Sequence, residues 1–80
     1  MKSRKYYENL FSSYPDLVTP RHVRIMLGGV GRNTVYYLLQ NGLIFHYNIN
    51  GSFLIPKSAV TDYILSAHYA SFKEKLRHQV

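Results

Sequence analysis

The chain has no cysteine and no tryptophan, only four acidic residues in eighty, and no apolar run that approaches the thickness of a bilayer. Each shortage removes a class of protein. Without cysteine there is neither a disulfide framework nor a thiolate zinc site to reinforce a small core, so stability rests on aliphatic and aromatic packing. Apolar runs such as 43–45 and 53–55 fall far short of the roughly 20 residues of a membrane span, which points to a soluble protein with no membrane partner. Lys2, Arg4 and Lys5 are followed by Tyr6-Tyr7-Glu8-Asn9, where a secretory leader would need its apolar stretch, so a cytoplasmic location is expected.

The scarcity of acids also weighs against catalysis. Glu8, Asp16, Asp62 and Glu74 are scattered, without the paired spacing that general acid–base chemistry needs. His22, His46, His68 and His78 show no metal-ligand spacing. Gly28-Gly29-Val30-Gly31 follows a helical pattern and lacks the closing Lys-Ser/Thr of a phosphate-binding loop, so it reads as a turn. No enzyme, cofactor or metal is expected.

What is present is positive charge. Ten Lys and Arg against four acids give a net charge of +6, which favours an anionic partner. Eighty residues make one domain, and a chain this short buries only about 60–65% of its unfolded surface.

Punctuation along the chain divides it into elements. Tyr7, Leu10, Phe11 and Tyr14 recur at helical spacing after Ser3, and Tyr14-Pro15-Asp16 closes this first helix within 1–16. Thr19-Pro20 is an N-cap and first-position pair, and Val23, Met26 and Leu27 form the inward stripe up to Gly28. Val35, Leu38 and Leu39 make the stripe of the next helix, which Asn41-Gly42 stops. The period then changes to alternation around Asn50-Gly51, the strongest short hairpin signal. Tyr47, Ile49, Phe53 and Ile55 are expected on one face, with His46, Asn48 and Ser52 on the other. Pro56 opens a further helix with Val60, Tyr63, Ile64 and Ala67 inward. Tyr7, Tyr14, Tyr47 and Tyr63 are expected to add core area.

A second apolar line, Leu65, Tyr69, Phe72 and Leu76, exceeds what a lone monomer is expected to bury. It leaves a surface through Tyr69, Phe72 and Leu76 for self-association or for a protein partner. On that adaptor reading the basic residues merely solvate the chain. The element order predicts a mainly α fold with a small β-hairpin, a winged helix-turn-helix over 17–65 with a helical extension over 66–80.

In such a fold the helix beginning at Arg32 would face DNA. At 100° per residue, Asn33, Tyr37 and Gln40 fall opposite the stripe of Val35, Leu38 and Leu39. Asn and Gln carry the amide geometry that pairs with adenine in the major groove, and Tyr37 can touch a thymine methyl or a phosphate. Arg32 and Thr34 lie in the first turn, where free N–H groups favour a phosphate. Tyr36, Asn48 and Asn50 complete the candidate surface, with Arg21, Arg24 and His46 expected to contact the backbone.

Leu17-Val18-Thr19, Val23, Met26-Leu27-Gly28, Arg32-Asn33-Thr34-Val35-Tyr36-Tyr37-Leu38-Leu39, Asn41-Gly42 and Ile49-Asn50-Gly51-Ser52-Phe53-Leu54-Ile55-Pro56 together resemble the excisionase-type winged helix-turn-helix family, related to the MerR DNA-binding domain. The resemblance covers roughly 17–65. It implies a recognition helix in the major groove, a wing beside the minor groove, and a small protein of a mobile element that assists a tyrosine integrase in excision. Close relatives regulate transcription instead. Several residues depart from the family pattern. His22 stands where Glu is usual, so the capping box is expected to be lost. Arg24 replaces a small residue, one extra glycine lengthens the turn, and Tyr37 replaces a common basic residue. The wing positions Asn48, Ser52 and Leu54 lack the usual arginines, so binding and its salt dependence should be weaker than in a typical member.

Overall fold

Helix boundaries in this protein are set by caps and glycines. The computed structural model describes the backbone of residues 3–78 and the side chains of residues 3–72. Ser3 caps α1 (Arg4–Leu10), its Oγ accepting from the Tyr6 N–H at 3.3 Å. The chain leaves that helix at Phe11, which is buried, while Leu10 is exposed despite its helical spacing. A two-residue strand follows, β1 (Leu17–Val18), and Thr19 then caps α2 (Pro20–Met26).

The capping box expected to be lost is present. Thr19 Oγ1 accepts from the His22 N–H at 3.4 Å, and His22 Nδ1 accepts from the Thr19 N–H at 3.2 Å. The lone pair of an imidazole nitrogen takes the place that a Glu carboxylate usually fills. At the other end of α2 the Gly29 N–H reaches back to the Arg24 carbonyl at 2.8 Å, with Gly28 and Gly29 both at φ +90°. Two successive residues in that region turn the chain sharply into α3 (Arg32–Gln40). The end of α3 repeats the device: Gly42 sits at φ +69°, and the Leu43 N–H returns to the Leu38 carbonyl at 3.0 Å.

The hairpin consists of β2 (Tyr47–Ile49) and β3 (Ser52–Pro56), joined by Asn50 and Gly51 at φ +52° and +80°. Positive φ at both central residues is the type I′ requirement, and it gives the pairs Ile49–Ser52, Asn48–Phe53 and Tyr47–Leu54. β3 pairs on its other side with β1, Val18 opposite Ile55 and Leu17 opposite Pro56. The sheet is therefore three-stranded and antiparallel, in the order β1-β3-β2. The strand β1 has no sequence signature of its own, because two residues are too short to show alternation.

That register corrects the expected assignment of faces. Directly opposed residues share a face, so Phe53 and Ile55 lie with Asn48 and His46, whereas Tyr47 and Ile49 lie with Ser52 and Leu54. A two-residue turn joins residues of opposite parity, and Tyr47 and Ile49 are consequently exposed.

β3 runs directly into α4 (Lys57–Ile64), and α5 (Ala67–His78) follows, packed against α4. Val18, Val23, Val35, Leu38, Leu39, Ile44, Ile55 and Val60 form the fully buried centre. Tyr63 and Ile64 are buried as expected, but Ala67 is exposed because the helix stops at Leu65. Ser66 restarts it, its Oγ accepting from the Tyr69 N–H at 3.3 Å. The break ends the helical register in which Leu65 and Tyr69 would have made one line. α1 is fastened to α4 by the Arg4–Asp62 ion pair, and Lys57 Nζ donates to the Tyr14 carbonyl at 3.0 Å.

The capping geometry has a measurable consequence. Thr19→Ala should cost about 1 kcal/mol in urea unfolding, whereas His22→Glu, which keeps both reciprocal bonds, should change stability by only about 0.3 kcal/mol. Equal destabilisation by the two changes would mean that the box contributes nothing.

Candidate functional site

The candidate surface is built around α3. Its stripe of Val35, Leu38 and Leu39 is buried, which turns Asn33, Tyr37 and Gln40 to the exposed side as the helical projection requires. Asn33 and Gln40 are exposed polar side chains on this row. Tyr37 is different. Its ring stacks on Phe72 of α5, with centroids 6.2 Å apart and planes within 19°, so one face of the ring is already in use. Thr34, in the first turn, is half-buried.

Arg32 opens the helix beside Gly31, which offers no side-chain cap to the free N–H groups. Its guanidinium carbon lies 5.7 Å from the centroid of the Tyr36 ring, a cation–π distance. Tyr36 packs edge-on against Phe53 at 5.5 Å, and Phe53 against His46 at 5.3 Å. His46 is further held by a 3.0 Å contact between Nδ1 and the Ile44 carbonyl. This row from Arg32 to His46 fixes the hairpin against α3. It makes His46 and Tyr36 half-buried packing residues. Asn48 and Asn50 are exposed on the hairpin and do not line the α2–α3 cleft. Phe53 and Phe72 went unread as parts of this surface. The parity of the two-residue turn was the available signal for Phe53, and nothing local points to Phe72.

The three arginines of the predicted site do come together. Arg21, Arg24 and Arg32, with Pro20, Val35 and Tyr36, line a cleft of about 360 Å³ between α2 and α3. Arg21 and Arg24 continue with Ile25, Gly29 and Val30 into an adjoining hollow of about 210 Å³. Arg24 is tethered there, its Nε donating to the Val30 carbonyl at 3.2 Å. The tether braces the lengthened turn while Arg24 stays exposed. Among the described residues no carboxylate lines either hollow. Three guanidinium groups without an acid leave unneutralised positive potential at one place, and Arg fits the planar geometry of phosphate oxygens.

The second apolar line is largely used within the molecule. Tyr69 packs on Tyr63 with centroids 5.5 Å apart, and Phe72 lies between Tyr37 and His68. Leu76 lies outside the described side chains, as do the terminal cations Lys73, Lys75 and Arg77. Among the described residues no group of three His, Asp or Glu gathers as a metal site requires. No described helix is long and apolar enough to cross a membrane. Comparison of the chain with family models, curated proteins and solved structures finds no match.

Tyr63, beneath α5, contacts His68 Nδ1 through its hydroxyl at 2.9 Å. Burial, followed by the proximity of Tyr69 and Tyr37, pushes its pKa from the usual 10.0 up to about 12. The folded protein thus holds this proton more tightly than the unfolded chain does. The resulting stabilisation is complete below pH 10.0 and is lost as pH rises through about 12. An absorbance titration should find Tyr63 among the last phenols to ionise, and Tyr63→Phe should remove that late step. Ionisation of every tyrosine near its ordinary value would contradict this.

Proposed function

We propose that the protein binds double-stranded DNA, with α2, the glycine turn and α3 acting as a helix-turn-helix and the β2–β3 hairpin as a short wing. The observation that carries this reading is the arginine cleft without acids at the start of α3, beside the exposed amides of Asn33 and Gln40 on the same helix. The cleft suits a backbone phosphate, and the amides suit base edges in a major groove. Seven residues separate Asn33 from Gln40, about 10 Å along the helix axis, which matches the rise of roughly three base pairs.

In this reading the roles are divided. Arg21, Arg24 and Arg32 neutralise phosphates, Asn33 and Gln40 read bases, and Tyr36 keeps Arg32 and the hairpin in place. Tyr37 contributes from the edge of the surface because Phe72 shares its ring. The hairpin carries no charge between residues 43 and 56, so the wing adds little phosphate binding. The resemblance of 17–65 to the excisionase type further supports a role in integrase-assisted excision of a mobile element, with transcriptional regulation as the other use of the same surface.

Fluorescence-polarisation titrations on duplexes from candidate element ends, run across a salt series, test the proposal. Arg21→Gln and Arg32→Gln should each weaken binding to all duplexes and lower the slope of log K against log salt by about 1. The double change Asn33→Ala and Gln40→Ala should instead collapse the preference for the target over competitor DNA, while leaving the salt slope nearly intact. Equal binding by parent and arginine variants would refute the assignment. Excision in the presence of the element's integrase, compared with a promoter reporter, separates the two biological uses.

A further inference from the structure

Among the described residues nothing covers the outer face of the sheet. Leu17 is 45% exposed, Tyr47 48% and Ile49 53%, with the half-buried Leu54 and Pro56 on the same face. Phe45, 60% exposed, adds its ring against Tyr47 at 5.2 Å. An apolar face of this kind on a small soluble domain marks a contact surface.

The edge of the sheet points the same way. β2 is an outer strand, and the two-residue turn makes Ile49–Ser52 and Tyr47–Leu54 the hydrogen-bonded pairs, so the backbone N–H and C=O of Asn48 face outward. Sheet edges are normally protected by lysine, proline or inward charge, and β2 has none of these.

We infer that two copies of this chain pair through β2, antiparallel about Asn48, to form a continuous six-stranded sheet. The strand is self-complementary about that centre. Tyr47 of one copy meets Ile49 of the other twice over, and Asn48 meets Asn48 across a twofold axis. Charge selects the same surface. Each copy carries +6, and the stretch from residue 43 to 56 has no Lys, Arg, Asp or Glu, so two copies can approach there with least repulsion. It is also the sheet face turned away from Tyr36 and the arginine cleft beyond it.

The contact is small. Tyr47 and Ile49 of β2, with Phe45 beside them, offer roughly 300 Å² per copy, since Leu17 lies on β1 at the far edge of the sheet, against about 800 Å² for a standard stable interface. A contact of this size makes a weak dimer in free solution. It becomes dominant when two copies are held close together, where effective concentrations reach the millimolar range.

Sedimentation velocity of the full chain without DNA, from about 10 µM to 1 mM, provides the test and does not depend on the DNA-binding proposal. The parent should shift from monomer to dimer across this range. Asn48→Pro removes the outward N–H but spares the β2–β3 ladder, and Ile49→Lys places a charge on the apolar face. Each should raise the dissociation constant at least about tenfold. Because the chain has no cysteine, Asn48→Cys reports directly on geometry. Hydrogen-bonded antiparallel partners lie about 5.5 Å apart at Cα, close enough for a disulfide after a small local shift that brings the Cβ atoms together. Asn48→Cys should cross-link rapidly under mild oxidation, and the exposed control Ser13→Cys should not. A parent that stays monomeric at 1 mM overturns the inference. So does equal cross-linking of the two cysteine variants, or undiminished dimerisation of Ile49→Lys with its fold intact.

Discussion

The pairing of Val18 with Ile55 joins two positions far apart in the chain, and both side chains are fully buried. Each strand leads directly into a helix. Thr19, the residue after β1, caps α2, and α4 begins where β3 ends at Pro56. One pair of residues therefore sets where both helices start and which way they run. α3 is then placed by the glycine turn after α2, and the hairpin by the aromatic row from Tyr36 through Phe53 to His46. A residue pair without polar side chains thereby supports the position of the arginine cleft. Among the described residues the only buried polar side chain, Thr61, is satisfied by its bond to the Lys57 carbonyl.

Composition and placement divide the molecule into two kinds of surface. The cleft between α2 and α3 gathers arginine without acid, whereas the hairpin is uncharged and apolar on its outer side. A hairpin without Lys, Arg, Asp or Glu is a poor phosphate ligand but a permissive protein contact, since no such charge has to be desolvated there. If both proposals hold, the two activities occupy separate faces, and a DNA site that seats two copies near each other would favour their contact. α5 adds a link between the faces of the helical side, because Phe72 connects Tyr37 on α3 with His68 and, through it, Tyr63.

Much of this architecture was legible in the sequence. The stripes Val23-Met26-Leu27 and Val35-Leu38-Leu39 are buried as read, since helical period alone decides which residues of an amphipathic helix face inward. Ser3, Thr19, Gly28, Gly42 and the Asn50-Gly51 turn mark real boundaries because each supplies a cap or a backbone conformation that its neighbours cannot adopt cheaply. The hairpin faces were misassigned, although the turn length contained the answer. β1 was missed because its identity as a strand comes from its partner rather than from its own two residues. His22 shows a milder form of the same limit: the imidazole can close a capping box, but a pattern of residue types does not register it.

For the candidate site the division is sharper. By itself the sequence determined that Asn33 and Gln40 lie opposite the buried stripe of α3, that the chain is strongly basic, and that residues 43–56 carry no charge. These are consequences of helical geometry and composition, which act locally or by simple sum. Only the tertiary structure decided that Arg21, Arg24 and Arg32 share one cleft, that Phe72 takes one side of Tyr37, that His46 is packed against Phe53, and that Tyr47 and Ile49 face outward. Each of these depends on how one element is placed against another. Strand register and helix packing fix that placement through contacts between residues distant in sequence, which no local period encodes.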